Sequence, residues 1–309
     1  MTMIQTHGVD TCLRVPDPGP VGTVEPLVLP EAPPPDAGER PHRCPQPIAA
    51  DLALLRLAAE GGRPRLLTPP EDERERIRYR WWVGHHAAFA LWQTLTATLD
   101  RILREPRPSP RTVDAATRML DCYSVLFLYS GSCSAEQYAA TLRRDMHAYD
   151  PAFSGTWARD YERIPELLLR VKHRHPRSLV GPLNRASRAN KLAHVAIAKK
   201  LVPNGASLLR EAGRCPHAGA MGNTQDRYDA FFRVRRERVC ERVVAAQLVR
   251  RLAQVLRDLA DEPDLLARGG SARDPQWARA VRGVADDGPA ILTRFADILA
   301  RRATGGSAP

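Results

Sequence analysis

Two adjacent imidazoles, His85 and His86, stand in Arg80-Trp81-Trp82-Val83-Gly84-His85-His86-Ala87-Ala88-Phe89-Ala90-Leu91-Trp92 among large aromatic and small side chains. At the helical period, Trp82, His86, Phe89, Ala90 and Gln93 share one face, and Trp81, His85, Phe89, Trp92 and Thr96 share an overlapping one. A helix normally gives such a stripe to the core. Imidazoles placed there lose their hydration and need a hydrogen bond or a ligand in exchange. Either could also take and return a proton at neutral pH. The competing reading is one satisfied core histidine and one that reaches solvent.

A third histidine, His194, lies in Asn190-Lys191-Leu192-Ala193-His194-Val195-Ala196-Ile197-Ala198. Small residues around a helical histidine let something flat and wide approach the backbone. A haem fits that description, with His194 as axial ligand; a plain helix–helix contact is the alternative.

Together these segments resemble the histidine-ligated haem aromatic oxygenases, relatives of tryptophan 2,3-dioxygenase, and within them the haem-dependent tyrosine hydroxylases of natural-product pathways. The residues that carry the resemblance are Trp82 to His86 and Trp92, Leu128-Tyr129-Ser130-Gly131 with Glu136-Gln137-Tyr138, Phe153-Ser154-Gly155 with Arg159-Asp160, and His194 followed by Val202-Pro203-Asn204-Gly205-Ala206-Ser207. Their order and spacing carries more than any one motif.

The resemblance implies an enzyme that converts L-tyrosine to L-DOPA with hydrogen peroxide in secondary metabolism. It makes His194 the iron ligand and His86 the distal acid–base, with His85 as fallback. One branch of these relatives acts on a methylated tyrosine and carries a haem-linking Cys four residues after the ligand. Ala198 occupies that place here, so non-covalent haem b is expected and the methylated substrate is disfavoured. Asn204, Ser207 and Tyr129 are candidate substrate contacts, though Ser207 could instead cap a short helix. Arg159 is a candidate for a haem propionate or the substrate, with a surface ion pair with Asp160 as its alternative, and Trp82 and Phe89 are candidates to flank the haem. Rival readings are a haem dioxygenase of an indole amino acid, thiolate ligation through Cys215-Pro216 or Cys44-Pro45, and an Arg-rich helical nucleic-acid-binding protein.

The elements that must position these residues read as helices throughout. Long helical patterns run from about Asp72 to Leu103, Val113 to Tyr129, Pro182 to Val202 and Gln225 to Asp261, and no strand-like alternation is worth naming. The class is all-α: a bundle of long helices enclosing a haem, like tryptophan 2,3-dioxygenase. Residues 1–46 are Pro-rich and read as a disordered or subunit-clamping arm, 47–304 as one catalytic domain, and 305–309 as a disordered tail.

The net charge of +11 and pI near 9.8 raise a nucleic-acid partner. Only four of the 46 basic residues are lysines, which suits a GC-rich coding bias, so no nucleic-acid partner is expected and the basic runs read as solvated faces. No apolar run reaches the ~18 residues of a membrane span. No basic and apolar leader opens the chain, so a cytoplasmic protein is expected, with a homodimer left open. Six cysteines form no Cys-x-x-Cys pair, and Cys122 and Cys240 read as small buried hydrophobes in helices.

Overall fold

A computed structural model describes residues 24–31, 48–64, 68–214, 222–268 and 282–303. The described chain is all-α apart from one short pair of strands. Helix α1 spans Ile48–Ala59, α2 Glu73–Arg104 and α3 Pro110–Ser130. Then come α4 (Ala135–Tyr138), a π-turn over Ala139–Arg143, α5 (Arg144–Tyr149), α6 (Ile164–Arg174) and α7 (Arg177–Leu201). The C-terminal part adds α8 (Leu208–Glu211), α9 (Gly222–Phe231), α10 (Glu241–Asp261), α11 (Leu265–Arg268) and α12 (Gly288–Ala303).

Local chemistry fixes the ends of the site-bearing helices. Asp72 caps α2 by accepting from the Glu75 amide at 2.9 Å, and acidic residues follow in its first turn. Ser109 caps α3, with Pro110 at its first position. Ser134 and Gln137 form a capping box at the start of α4.

The site lies in the α2–α3–α7 core. Gly84 is what lets α2 approach α3, because a Cβ there would fall 2.0 Å from Ser130 Oγ. Gly131 does the same for α3 and α7, where a Cβ would meet Ile197 Cγ2 at 2.4 Å. Trp92 meets Tyr123, so α2 and α3 run antiparallel. Asn190 donates to Ser124 Oγ at 3.1 Å one end down from the Gly131–Ile197 contact, so α3 and α7 run parallel.

On its other side α2 packs on α10 through a buried ion network. Asp258, fully buried, accepts from Arg80 Nε at 2.6 Å and Nη2 at 3.1 Å and from the Tyr129 hydroxyl at 3.1 Å. Arg80 also reaches Glu262 at 2.5 Å.

Two expectations fail. The helical pattern from Gln225 to Asp261 is broken: Arg233 takes a left-handed φ of 53°, and Val234–Glu237 forms strand β2 before α10 begins. Within the expected disordered arm, Leu27–Pro30 forms strand β1, parallel to β2 with Leu27 opposite Val234. Leu27 and Leu29 are fully buried, and Gln247 bonds both the amide and the carbonyl of Val28, at 2.8 and 2.7 Å. Two leucines and a side chain that satisfies an edge backbone suffice to order four residues, a signal too short for periodicity to reveal. This part of the arm packs on its own chain; the rest, like the tail at 305–309, lies outside the described residues. Cys122 is buried as expected, but Cys240 sits half-buried at the N-cap of α10 and is disulfide-bonded.

Candidate functional site

The middle of α2 presents His85 and His86 to different surroundings. His85 Nδ1 lies 2.7 Å from the Trp81 carbonyl oxygen, one turn back. A carbonyl can only accept, so Nδ1 carries the proton and Nε2 keeps its lone pair. The ring packs against Trp81, 4.2 Å away and tilted, and Phe232, 4.6 Å away and nearly parallel, with Phe89 edge-on at 5.9 Å. Burial pushes the His85 pKa down to about 4, only partly offset by the carbonyl, so the ring is neutral at pH 7.

His86 is wholly enclosed. Its Nε2 donates to the Phe232 carbonyl at 2.5 Å, which leaves Nδ1 with a lone pair and no partner among the described residues. Burial, reinforced by the Arg251 charge, holds its pKa well below the ordinary value. The two neighbours are therefore opposite tautomers. His85 retains some solvent exposure and His86 retains none, so of the pair His85 is the one whose free lone pair a ligand can reach.

A run of ring contacts joins His85 to His194. From His85 it passes down α2 through Phe89 and Trp92, crosses to Tyr123 on α3 at 5.3 Å, and climbs to Phe127. The His194 ring stacks on Phe127 at 4.7 Å with only 5° between the planes. Since α2 and α3 are antiparallel, this path doubles back. His85 follows Gly84, which faces Ser130, and His194 precedes Ile197, which faces Gly131, by one turn. Both histidines thus lie near the same end of the bundle, and no direct ring contact joins them.

His194 is exposed along its outer edge, and neither ring nitrogen has a partner among the described residues. Contact with its neighbours lowers its pKa by desolvation, favouring the neutral ring that a metal needs. Its neighbours are small: Ala198, one turn on, is exposed, while Ala193 and Ala196 are buried in the helix packing. A neutral imidazole with a free lone pair and small neighbours fits an axial iron ligand. It lacks the carbonyl or carboxylate that usually orients such a ring through its second nitrogen. Among the described residues no cluster of His, Cys, Asp or Glu could hold a bare metal ion.

The remaining candidates are scattered. Phe89 is 1% exposed within the ring path, and half-buried Trp82 stacks on Phe231 at 5.6 Å. Tyr129 is fully buried and its hydroxyl is engaged with Asp258, so it lines no accessible space. Arg159 pairs with Asp226 and Asp229, the surface ion pair of its alternative reading but not with Asp160. Ser207 caps α8, accepting from the Arg210 amide at 3.4 Å, while Asn204 is exposed in the preceding turn. Cys215-Pro216 and Cys44-Pro45 lie outside the described residues.

Sequence reasoning missed the far wall. Tyr228, Phe231 and Phe232 of α9 and the following turn, with Phe153, close over His85 and Phe89 through ring contacts of 4.6 to 5.8 Å. The pair Phe231-Phe232 was the available signal, hidden inside what reads as one continuous helix. Behind this wall Arg236 holds Asp160 with two bonds of 2.8 Å and Asp229 with bonds of 2.8 and 2.9 Å, and Gln93 joins Asp160 at 2.5 Å. That network ties α2, α9 and β2 together.

Residues 35–187 match the SfmD 3-methyl-L-tyrosine peroxygenase family. The matched span contains His85, His86, Tyr129 and Arg159 and ends before His194 and Ala198. It supports a peroxygenase family with tyrosine-type substrates. The family is named for the methylated tyrosine. No curated protein matches the chain. Among the described residues no helix is long and apolar enough to cross a membrane.

Proposed function

We propose that the protein is a haem-dependent peroxygenase that hydroxylates the ring of L-tyrosine to give L-DOPA. The observation that carries this reading is His85: a neutral imidazole with a tautomer set by Trp81 and its Nε2 lone pair free, inside the span that matches a tyrosine-type peroxygenase family. His194 would hold the iron of a non-covalent haem b. When bound, the haem supplies the redox chemistry that splits the O–O bond of peroxide and passes one oxygen to the aromatic ring.

His85, rather than His86, is assigned the proton work. At Nε2 it would accept a proton from hydrogen peroxide and return it to the departing oxygen, which leaves as water. A conjugate acid with a pKa near 4 gives that proton back readily. Phe232, stacked on the imidazole, and Trp81, tilted against it, restrict its orientation. His86 would fix the α9–β2 turn through the Phe232 carbonyl, and with it the ring that stacks on His85. Asn204 is the remaining candidate for the polar end of the amino acid, since the Ser207 hydroxyl is engaged at the α8 cap.

The family's name favours a second reading in which 3-methyl-L-tyrosine is the substrate. Haem-loaded protein given hydrogen peroxide and each amino acid in turn separates the two. A catechol product from L-tyrosine at the higher kcat/KM supports the first reading. Preference for the methylated substrate supports the second, and ring-opened product from tryptophan would replace both with an indole dioxygenase.

A further inference from the structure

The positive charge of this chain is concentrated. From residue 167 to 210 there is no Asp or Glu, yet six arginines and all four of the chain's lysines fall there. That stretch carries +10 of a net +11. It comprises most of α6, all of α7 and the turn that follows. An even coding bias toward arginine explains neither the confinement of every lysine to these residues nor the absence of acids.

Part of this stretch surrounds a cavity of about 510 Å³, lined by Lys172 of α6 and by Arg177, Gly181, Asn184, Arg185 and Arg188 of α7. The α7 residues recur at helical spacing, so they share one face, and Lys172 meets them from across the α6–α7 bend. No hydrogen bond or ion pair ties any of the four cations to another described residue. By contrast, Arg76, Arg80, Arg159 and Arg236 each contact two or more carboxylates. The first turn of α7 contains no acidic residue.

We propose that this α6–α7 cavity binds a small polyanion bearing at least two phosphate groups, of the size of a nucleoside diphosphate. The volume suits a small molecule. Arginine guanidinium groups converging on a concavity match phosphate oxygens in forked pairs, and Asn184 adds a neutral donor or acceptor for the rest of the ligand. A nucleic-acid strand fits less well. No aromatic side chain lines the cavity for a base to stack on, and the charges converge rather than follow a long backbone. The site is separate from His85 and the ring path, and the proposal does not rest on the peroxygenase reading.

Titration calorimetry of the full chain with inorganic pyrophosphate tests it, with the Arg185→Glu/Arg188→Glu double variant as probe. Arg107→Glu/Arg111→Glu, exposed on the α2–α3 turn, makes the same change in net charge elsewhere. Saturable 1:1 binding that weakens at least tenfold in the cavity variant and under twofold in the control is expected, with affinity falling several-fold as salt is raised. Circular dichroism checks the fold, and Arg185→Gln/Arg188→Gln replaces the probe should charge reversal unfold it. Absence of saturable binding, or equal weakening in probe and control, overturns the proposal. Tighter binding of a 12-base-pair duplex than of pyrophosphate, lost in the same variant, overturns it in favour of a nucleic-acid surface.

Discussion

The two sides of α2 solve the problem of buried polarity in opposite ways. Toward α10, Arg80, Asp258, Glu262 and Tyr129 close a network in which the central carboxylate meets a guanidinium fork and a phenol. Toward α9, His85 commits one nitrogen to its own helix and leaves the other free among aromatic rings. The first arrangement has no lone pair to offer and serves to lock helices together. The second keeps a base available in surroundings that discourage its protonation. Reactivity belongs where the packing withholds a partner, and substitutions on the two sides should separate stability from turnover.

The largest effect is expected from Asp258→Ala. It leaves Arg80 with Glu262 alone and the Tyr129 hydroxyl without its acceptor in the core, and breaking a buried pair of this kind costs about 3–5 kcal/mol. Chemical denaturation should show that loss, with kcat of the remaining folded enzyme little changed. A fall in kcat with unchanged stability would place the seam in the reaction and remove the contrast.

On the other side, His85→Ala should lower kcat by about 10²-fold, the ordinary size of a general acid–base contribution, while haem uptake persists. His86→Ala should act mainly through stability, since it frees the Phe232 carbonyl. If His86→Ala alone abolishes turnover in folded, haem-loaded protein, the roles of the two must be exchanged.

Between these lies Gly84→Ala, at the contact of α2 with α3. The added methyl meets Ser130 Oγ, and overpacking of this kind costs about 1–3 kcal/mol, read as a lower Tm. The double variant Gly84→Ala/Ser130→Gly should recover most of the loss.

The smallest effect concerns pH. His85 and His86 have folded pKa values below the unfolded one near 6.5, so the unfolded chain binds more protons under acid. Their stabilising contribution is complete above pH ~6.5 and is lost as pH falls toward 4, by at most about 1.4 kcal/mol per unit for each. Thermal melts between pH 8 and 4 should be flat and then decline, with His85→Gln reducing the decline. Stability that rises on acidification would mean that the imidazoles are charged when buried.

Much of the frame was legible in the sequence. Periodicity and capping residues placed α2, α3 and α4 within a few residues, because Asp72, Pro106, Pro110 and Ser134 mark chain ends by their own backbone chemistry. The α9–β2 break was not legible. Arg233 leaves the helical region where Val234 turns to pair with Leu27, more than 200 residues earlier. The Phe232 carbonyl that meets His86 lies in this break, so sequence could name the histidine pair but not which member is sealed. Tyr129 illustrates the limit: its type suits a binding pocket, and only the arrival of Asp258 shows that its hydroxyl is engaged.

The central claim is that one imidazole on α7 takes an iron porphyrin. Hemin titrated into the purified chain, followed in the visible, tests it most directly. The account predicts stoichiometric uptake with a Soret band typical of a histidine-ligated iron, and loss or displacement of that band in His194→Ala. A chain that stays colourless, or a His194→Ala variant with an unaltered spectrum, would contradict it.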